Sequence, residues 1–227
     1  MNVLVVGGGP GGLYAALLLK RRNPEAVVTV LERNRPDDTF GWGVVLSDQT
    51  VANLRADDPE SAAHIADALH HWDDIEVHFG GRTVRSGGHG FSGVGRKRLL
   101  AILQARCREI GVALHFESDV SAESIEHTIA VEQADLVIAA DGINSRLRER
   151  FASTDRPDID LRRCRYVWLG TPRRFDAFTF AFRETSMGWF QAHAYQFDGE
   201  TSTFIVETPQ EVWARAGVAG MSDAESD

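Results

Sequence analysis

The chain has 227 residues, 43% of them hydrophobic and 25% charged, the make-up of a folded globular protein with room for one large or two small domains. A formal charge of −9 with no basic cluster argues against nucleic-acid binding, which rests on many cationic contacts to phosphate. Only Cys107 and Cys164 are present, at no metal-like spacing, so neither a disulfide framework nor a metal site is expected. No run approaches the ~20 apolar residues of a membrane span, and the apolar start lacks the cationic lead of a signal peptide. The expected setting is the cytoplasm and the expected ligand a small molecule.

The apolar tetrad at residues 3–6 is too short for a helix and β-branched enough for a buried strand. Gly7, Gly8, Gly9, Pro10, Gly11 and Gly12 follow, then a run with Leu13, Ala16 and Leu17 at helical spacing, then a second strand at 27–31 ending in Glu32 and Arg33. Strand, glycine turn, helix and parallel strand form a dinucleotide-binding unit. Gly7 makes the tight turn, Gly9 lets backbone approach a pyrophosphate, and Gly12 lets the helix pack on the strand. The free amides of the helix N-terminus suit a diphosphate. Glu32 is placed to accept from the hydroxyls of an adenosine ribose and to repel a 2′-phosphate, which favours FAD or NAD over NADP.

A turn at 34–38 leads to Phe40-Gly41-Trp42-Gly43-Val44-Val45-Leu46, which reads either as backbone approaching a flat ligand or as a surface loop with one packed Trp. Helices are expected from Ser47 to about Leu54 and from Pro59 onward, the second carrying Ile65, Leu69 and Trp72 on one side. Two short strands flank Gly80-Gly81, and residues 86–93 read as a loop too glycine-rich to be core. His89 in that loop is either a ligand-facing group or an exposed turn residue. A helix from Arg96 ends near Gly111, and one of its first three cations could reach nucleotide phosphates. Residues 112–116 and a buried strand at 134–140 extend the parallel sheet. The second of these runs into Asp141-Gly142, at the carboxyl end of a strand where open sheets bind ligands; Asp141 also suits the cap of the helix that follows. Past Pro157, alternating aromatic-rich segments read as an antiparallel sheet. The expected fold is α/β: a Rossmann-like parallel sheet over residues 1–156, with an excursion at 76–93, then part of an antiparallel-sheet substrate domain over 157–227. On the strand at 189–197, alternation puts Trp189, His193 and Tyr195 on one face; His193 would there either bond a substrate substituent or sit satisfied in the core.

Three motifs stand in order: Gly7-x-Gly9-x-x-Gly12 with Glu32-Arg33, Arg96-x-x-Leu99-x-x-x-Leu103, and Asp141-Gly142-x-x-Ser145-x-x-Arg148. The set resembles the FAD-dependent aromatic monooxygenases related to para-hydroxybenzoate hydroxylase. Residues 34–45, 85–93 and 188–195 resemble the salicylyl-CoA and anthraniloyl-CoA hydroxylase branch, with the tryptophan hydroxylase of violacein biosynthesis second. The resemblance implies that Gly9, Pro10, Gly11 and Gly12 hold the FAD pyrophosphate, Glu32 the adenosine ribose and Arg33 the adenine side. It further implies Arg96 near the phosphates, Val120 at the adenine, and Gly43 and Val44 at the flavin ring. Asp141 would meet the diphosphate region and take part in nicotinamide binding. The chemistry would be the flavin's: NAD(P)H as co-substrate, O2 as oxidant and an electron-rich aromatic ring, in this branch a CoA thioester, as acceptor. No catalytic side chain, triad or metal is implied. Family members continue into a second Gly-Asp motif that does not occur after residue 157, so the chain is expected to be an N-terminal piece, with its isolated activity and its oligomeric state open. The rival readings are an indole hydroxylase of the same family, a non-catalytic FAD-binding module, and an NAD-dependent dehydrogenase, from which Asp141-Gly142 after a late strand distinguishes a flavoprotein.

Overall fold

The computed structural model describes residues 1–218, with backbone alone at 130 and 131. In chain order the elements are β1 (Asn2–Val6), α1 (Pro10–Arg22), β2 (Val27–Leu31), β3 (Gly43–Ser47), α2 (Asp48–Asp57), α3 (Pro59–Ala66), β4 (His70–Trp72), β5 (Ile75–Phe79), β6 (Arg82–Ser86), β7 (Phe91–Gly95) and α4 (Arg96–Glu109). There follow β8 (Ala113–His115), α5 (Ile125–Glu132), β9 (Leu136–Ala139), α6 (Arg146–Arg150), α7 (Ala152–Asp155), β10 (Cys164–Thr171), β11 (Phe178–Thr185), β12 (Gly188–Gln196), β13 (Ser202–Pro209) and α8 (Gln210–Arg215).

Two compact units share the chain. The first comprises Met1–Thr39, Leu54–His64 and Lys97–Ile159; the second comprises Phe40–Asn53, Ile65–Arg96 and Asp160–Asp227. The boundary expected after residue 156 thus falls at 159. Residues 40–53 and 65–96, of which only 76–93 read as an excursion, gather with the later strands.

The first unit is an α/β layer structure on a parallel sheet of order β8-β2-β1-β9. β1 lies at its centre, with Val3, Leu4, Val5 and Val6 at most 5% exposed, because a continuous apolar, Val-rich run suits a strand covered on both faces. Leu4 and Val6 pack with Leu31, Ile125 and Leu147, and Val120 rests against this cluster. β9 differs from expectation: it is the sheet's edge among the described strands, and Leu136 is 40% exposed. A buried network joins α1, α3 and α4. Asp58 is fully buried, caps α3 by accepting from the Ser61 amide at 3.0 Å, and takes Arg106 through both oxygens at 3.1 and 3.2 Å. The Arg21 Nε reaches the same carboxylate at 3.1 Å.

The second unit holds a six-stranded sheet of order β10-β13-β12-β11-β5-β6 and a three-stranded sheet of order β3-β7-β4. β10 to β13 pair antiparallel as their alternation predicts, but β5 joins β11 in parallel, Phe178 opposite Ile75. Two expectations are corrected. α3 stops at Ala66, and Trp72 lies on a strand, 6% exposed and stacked on Tyr195 at 5.8 Å, so tertiary pairing overrides the helical spacing. Residues 91–93, the end of the run read as loop, lie on the central strand β7; at Gly93 a side chain would meet the Gln196 carbonyl oxygen at 2.5 Å, so glycine here serves close packing.

Candidate functional site

In the first unit the glycine turn, Glu32 and Asp141 are brought together at the carboxyl ends of β1, β2 and β9. Gly7 has φ +112, and a Cβ there would lie 2.2 Å from the Ala140 carbonyl oxygen. At Gly12 a Cβ would lie 2.0 Å from the Gly7 oxygen. Both positions exclude any side chain, one by conformation and contact, the other because α1 starts against the end of β1. Gly9 and Gly11 differ: a Cβ on either meets nothing within 4 Å. Nothing among the described residues forbids a side chain there, so the turn is open on that side. Gly9 is the N-cap of α1, Pro10 opens the helix, and no side chain caps it. Its first-turn amides therefore face outward with the positive end of the helix dipole behind them.

The carboxylate of Glu32 is partly committed. Oε2 accepts from the Gly8 amide at 2.6 Å, while Oε1 accepts from the Asn34 amide at 2.8 Å and the Asn34 side chain at 2.7 Å. Of its roughly four acceptor positions, about one is left for a ligand. Glu32 thus ties the glycine turn to the chain leaving β2, a scaffolding role that the motif alone does not reveal; Asn34 is the partner missed. Arg33 is exposed, and Val120 is half-buried against the apolar cluster. Asp141 accepts from the Ser145 hydroxyl at 2.6 Å and the Leu147 amide at 3.3 Å, and Ser145 in turn accepts from the Arg148 amide at 3.0 Å as N-cap of α6. The capping role and a position at the strand end therefore coexist. Among the described residues, the Arg148 Nε is buried without a partner.

In the second unit, Gly43, Val44 and Arg96 come together. The Gly43 amide donates to the Thr203 hydroxyl at 3.0 Å, its carbonyl accepts from the Tyr195 hydroxyl at 2.8 Å, and a Cβ would lie 2.5 Å from the Phe197 ring. The loop before it interlocks with β10, since a Cβ on Gly41 would meet Trp168 at 2.6 Å and one on Gly170 would meet Trp42 at 2.6 Å. The half-buried Val44 follows on β3, opposite Val94 of β7. The Arg96 amide donates to the Trp42 carbonyl at 2.8 Å, and the Arg96 Nε is buried with no partner among the described residues. A buried guanidinium nitrogen left unpaired is costly unless an acceptor meets it, as a phosphate would.

The remaining candidates separate. His89 is an exposed turn residue bonded to Ser86 at 2.9 Å. His71 lies between Ser92 and Asp73 at 3.1 and 3.2 Å, but Ser92 is 3% exposed, so this trio has no accessible nucleophile. His193 packs near Phe178 and Phe180, and burial holds its pKa below the ordinary histidine value although Glu207 opposes the shift. Glu207 and Gln191, bonded at 3.1 Å, line a cavity of about 410 Å³ in this unit; alternation alone gave no reason to single them out. Among the described residues no group of three or more His, Cys, Asp or Glu is arranged to hold a metal ion, and no helix is long and apolar enough to cross a membrane.

Over its whole length the chain is 44% identical to a salicyloyl-CoA 5-hydroxylase from Streptomyces sp, of which it covers 44%. It is 34% identical, again over its whole length, to protodeoxyviolaceinate monooxygenase of Chromobacterium violaceum, of which it covers 60%. The chain therefore spans about half the length of these curated relatives. Among solved structures, the tetrameric form of 2-methyl-3-hydroxypyridine-5-carboxylic acid oxygenase superposes with a TM-score of 0.73 at 17% identity, covering 92% of this chain and 58% of that one. That likeness is one of fold. Residues 1–158 match the model of an FAD binding domain, so FAD is the cofactor and the chain belongs to the FAD binding domain family.

Proposed function

We propose that the protein is a flavin-dependent monooxygenase that hydroxylates an aromatic acyl-CoA such as salicyloyl-CoA or anthraniloyl-CoA, with NAD(P)H as electron donor. The observation that carries this reading is the 44% identity, over the whole of this chain, to a salicyloyl-CoA 5-hydroxylase, supported by a glycine turn that is open at Gly9 and Gly11. The residues present fit FAD: α1 offers uncapped amides, Glu32 keeps an acceptor position, and Arg96 has a buried donor lacking a partner among the described residues. In this proposal the amides of Gly9, Gly11 and Gly12 hold the pyrophosphate, with Pro10 presetting the helix start. Glu32 orients the adenosine ribose, Arg33 and Val120 border the adenine, and Asp141 fixes the turn beside the diphosphate. Gly43 and Val44 present backbone to the flavin ring, and Arg96 meets phosphate. When bound, FAD would supply the redox chemistry of hydroxylation, with NAD(P)H as reductant, O2 as oxidant and water as the second product. The protein's part is to hold, orient and exclude water. We further place the protein in the cytoplasm.

An indole substrate is the second reading, favoured by the full-length match to protodeoxyviolaceinate monooxygenase. The test is NAD(P)H oxidation by the FAD-loaded protein with salicyloyl-CoA, anthraniloyl-CoA and an indole side by side. Stimulation by a thioester is expected. Stimulation by the indole alone would overturn the CoA assignment, and retention of FAD with no stimulated oxidation would favour a binding module.

A further inference from the structure

The cavity in the second unit has a chemistry of its own. Among the described residues its walls include Phe79, Phe182 and Trp189, its polar groups include Gln191, Glu207 and Thr208, and its one cation is the exposed Arg163. Phe79 and Trp189 stack at 5.7 Å with an interplanar angle of 6°, and Phe182 meets Phe79 edge-on at 6.2 Å. Strand register sets Phe182 opposite Gln191 and Gln191 opposite Glu207, so these side chains share one sheet face. Tyr195 and Thr203, which hold Gly43, lie on that face four residues along the same two strands, about 13 Å away. The Gln191 amide donates to Glu207 Oε2, and among the described residues no hydrogen bond reaches Oε1.

We propose that this cavity binds the aromatic ring of the substrate and that Glu207 accepts a hydrogen bond from an amino or hydroxyl substituent on it, with Gln191 as the positioning residue. A volume of about 410 Å³ walled by aromatic rings with two convergent polar groups is the form of a small-molecule site. An ionised carboxylate only accepts, so the group facing it must donate; a free aromatic carboxylate turned toward Glu207 would set two like charges together. The ligand is therefore an arene with a ring donor and its own acid group masked or turned away. This rests on the aromatic-hydroxylase reading.

Calorimetric titration of the FAD-loaded protein with salicyloyl-CoA, anthraniloyl-CoA and benzoyl-CoA, which lacks the ring donor, tests the assignment. The donor-bearing thioesters should bind about tenfold or more tighter than benzoyl-CoA, as expected for one charge-assisted hydrogen bond. Glu207→Gln should cut that ratio to about twofold or less, whereas Trp189→Ala should weaken all three alike. A ratio unchanged in Glu207→Gln, or equal losses for all three ligands in that variant, would overturn the proposal. Discrimination without stimulated NAD(P)H oxidation would remove the hydroxylase reading and leave the cavity assignment standing; stimulation without discrimination would do the reverse.

Discussion

Glu32→Ala deletes the acceptor of three hydrogen bonds, two from backbone amides and one from the Asn34 side chain. Hydrogen bonds to a charged group contribute about 1.5 to 3 kcal/mol each, but the site is half-buried and water can replace part of the loss, so about 2 to 4 kcal/mol in all is reasonable. In the proposed assignment the ribose adds a further bond at the remaining position, so FAD affinity should fall by at least about tenfold. Glu32→Gln is the more telling variant. One of its two polar atoms becomes a donor, facing either Gly8 or Asn34 across a contact that now holds two donors. The glutamine should therefore loosen FAD nearly as much as alanine, although it could still bond a ribose hydroxyl. Quenching of flavin fluorescence on titration gives the dissociation constants, and thermal unfolding reports the scaffold. If Glu32→Gln binds FAD within about twofold of the parent while Glu32→Ala does not, the carboxylate has no scaffolding role and the argument from its three bonds fails.

The two classes of glycine should behave oppositely. Gly12→Ala sets a methyl 2.0 Å from a backbone oxygen and should lower the melting temperature and abolish FAD retention; Gly11→Ala meets nothing within 4 Å and should leave melting unchanged while weakening FAD, so equal melting losses would refute the distinction. Asp58→Ala removes the buried partner of Arg106, which keeps Glu60 and Glu109, and should cost about 1.5 to 3 kcal/mol in denaturant unfolding; a loss under about 0.5 kcal/mol would show the network to be dispensable. Burial alone raises the pKa of Asp58, but the Ser61 hydrogen bonds with Arg106 and Arg21 overcome it and leave the folded value below the ordinary one. Asp58 therefore contributes stability above its unfolded pKa that is lost as pH falls through the folded one, and the acid limb of unfolding should flatten in Asp58→Asn. Burial pushes the Cys107 thiol up to about 12, while Cys164 is exposed, so a thiol reagent at pH 8 should titrate one cysteine in the native protein and two after denaturation.

What the sequence by itself determined was local. A four-residue apolar run, glycines at fixed offsets, Pro10 at a helix start and an acid closing the next strand specify a strand-turn-helix-strand unit because each step depends on near neighbours. Asp141 and Ser145 were legible for the same reason, being four residues apart and bonded to one another. Tertiary structure decided what distance in the chain conceals. β5 and β11 lie about a hundred residues apart, and nothing in either run names its partner or its parallel sense. Trp72 sits at helical spacing from Ile65 and Leu69, yet pairing with β7 and stacking on Tyr195 draw it onto a strand. The glycine-rich run at 86–93 reads as solvent loop by composition; its last residues are core because Gly93 lets backbone approach where any side chain would collide. The sequence offered Glu32 as a ligand group, and only the fold showed that it also holds the glycine turn, since the hydrogen bond from Gly8, 24 residues away, exists only once β1 and β2 are side by side, whereas those from Asn34 are local.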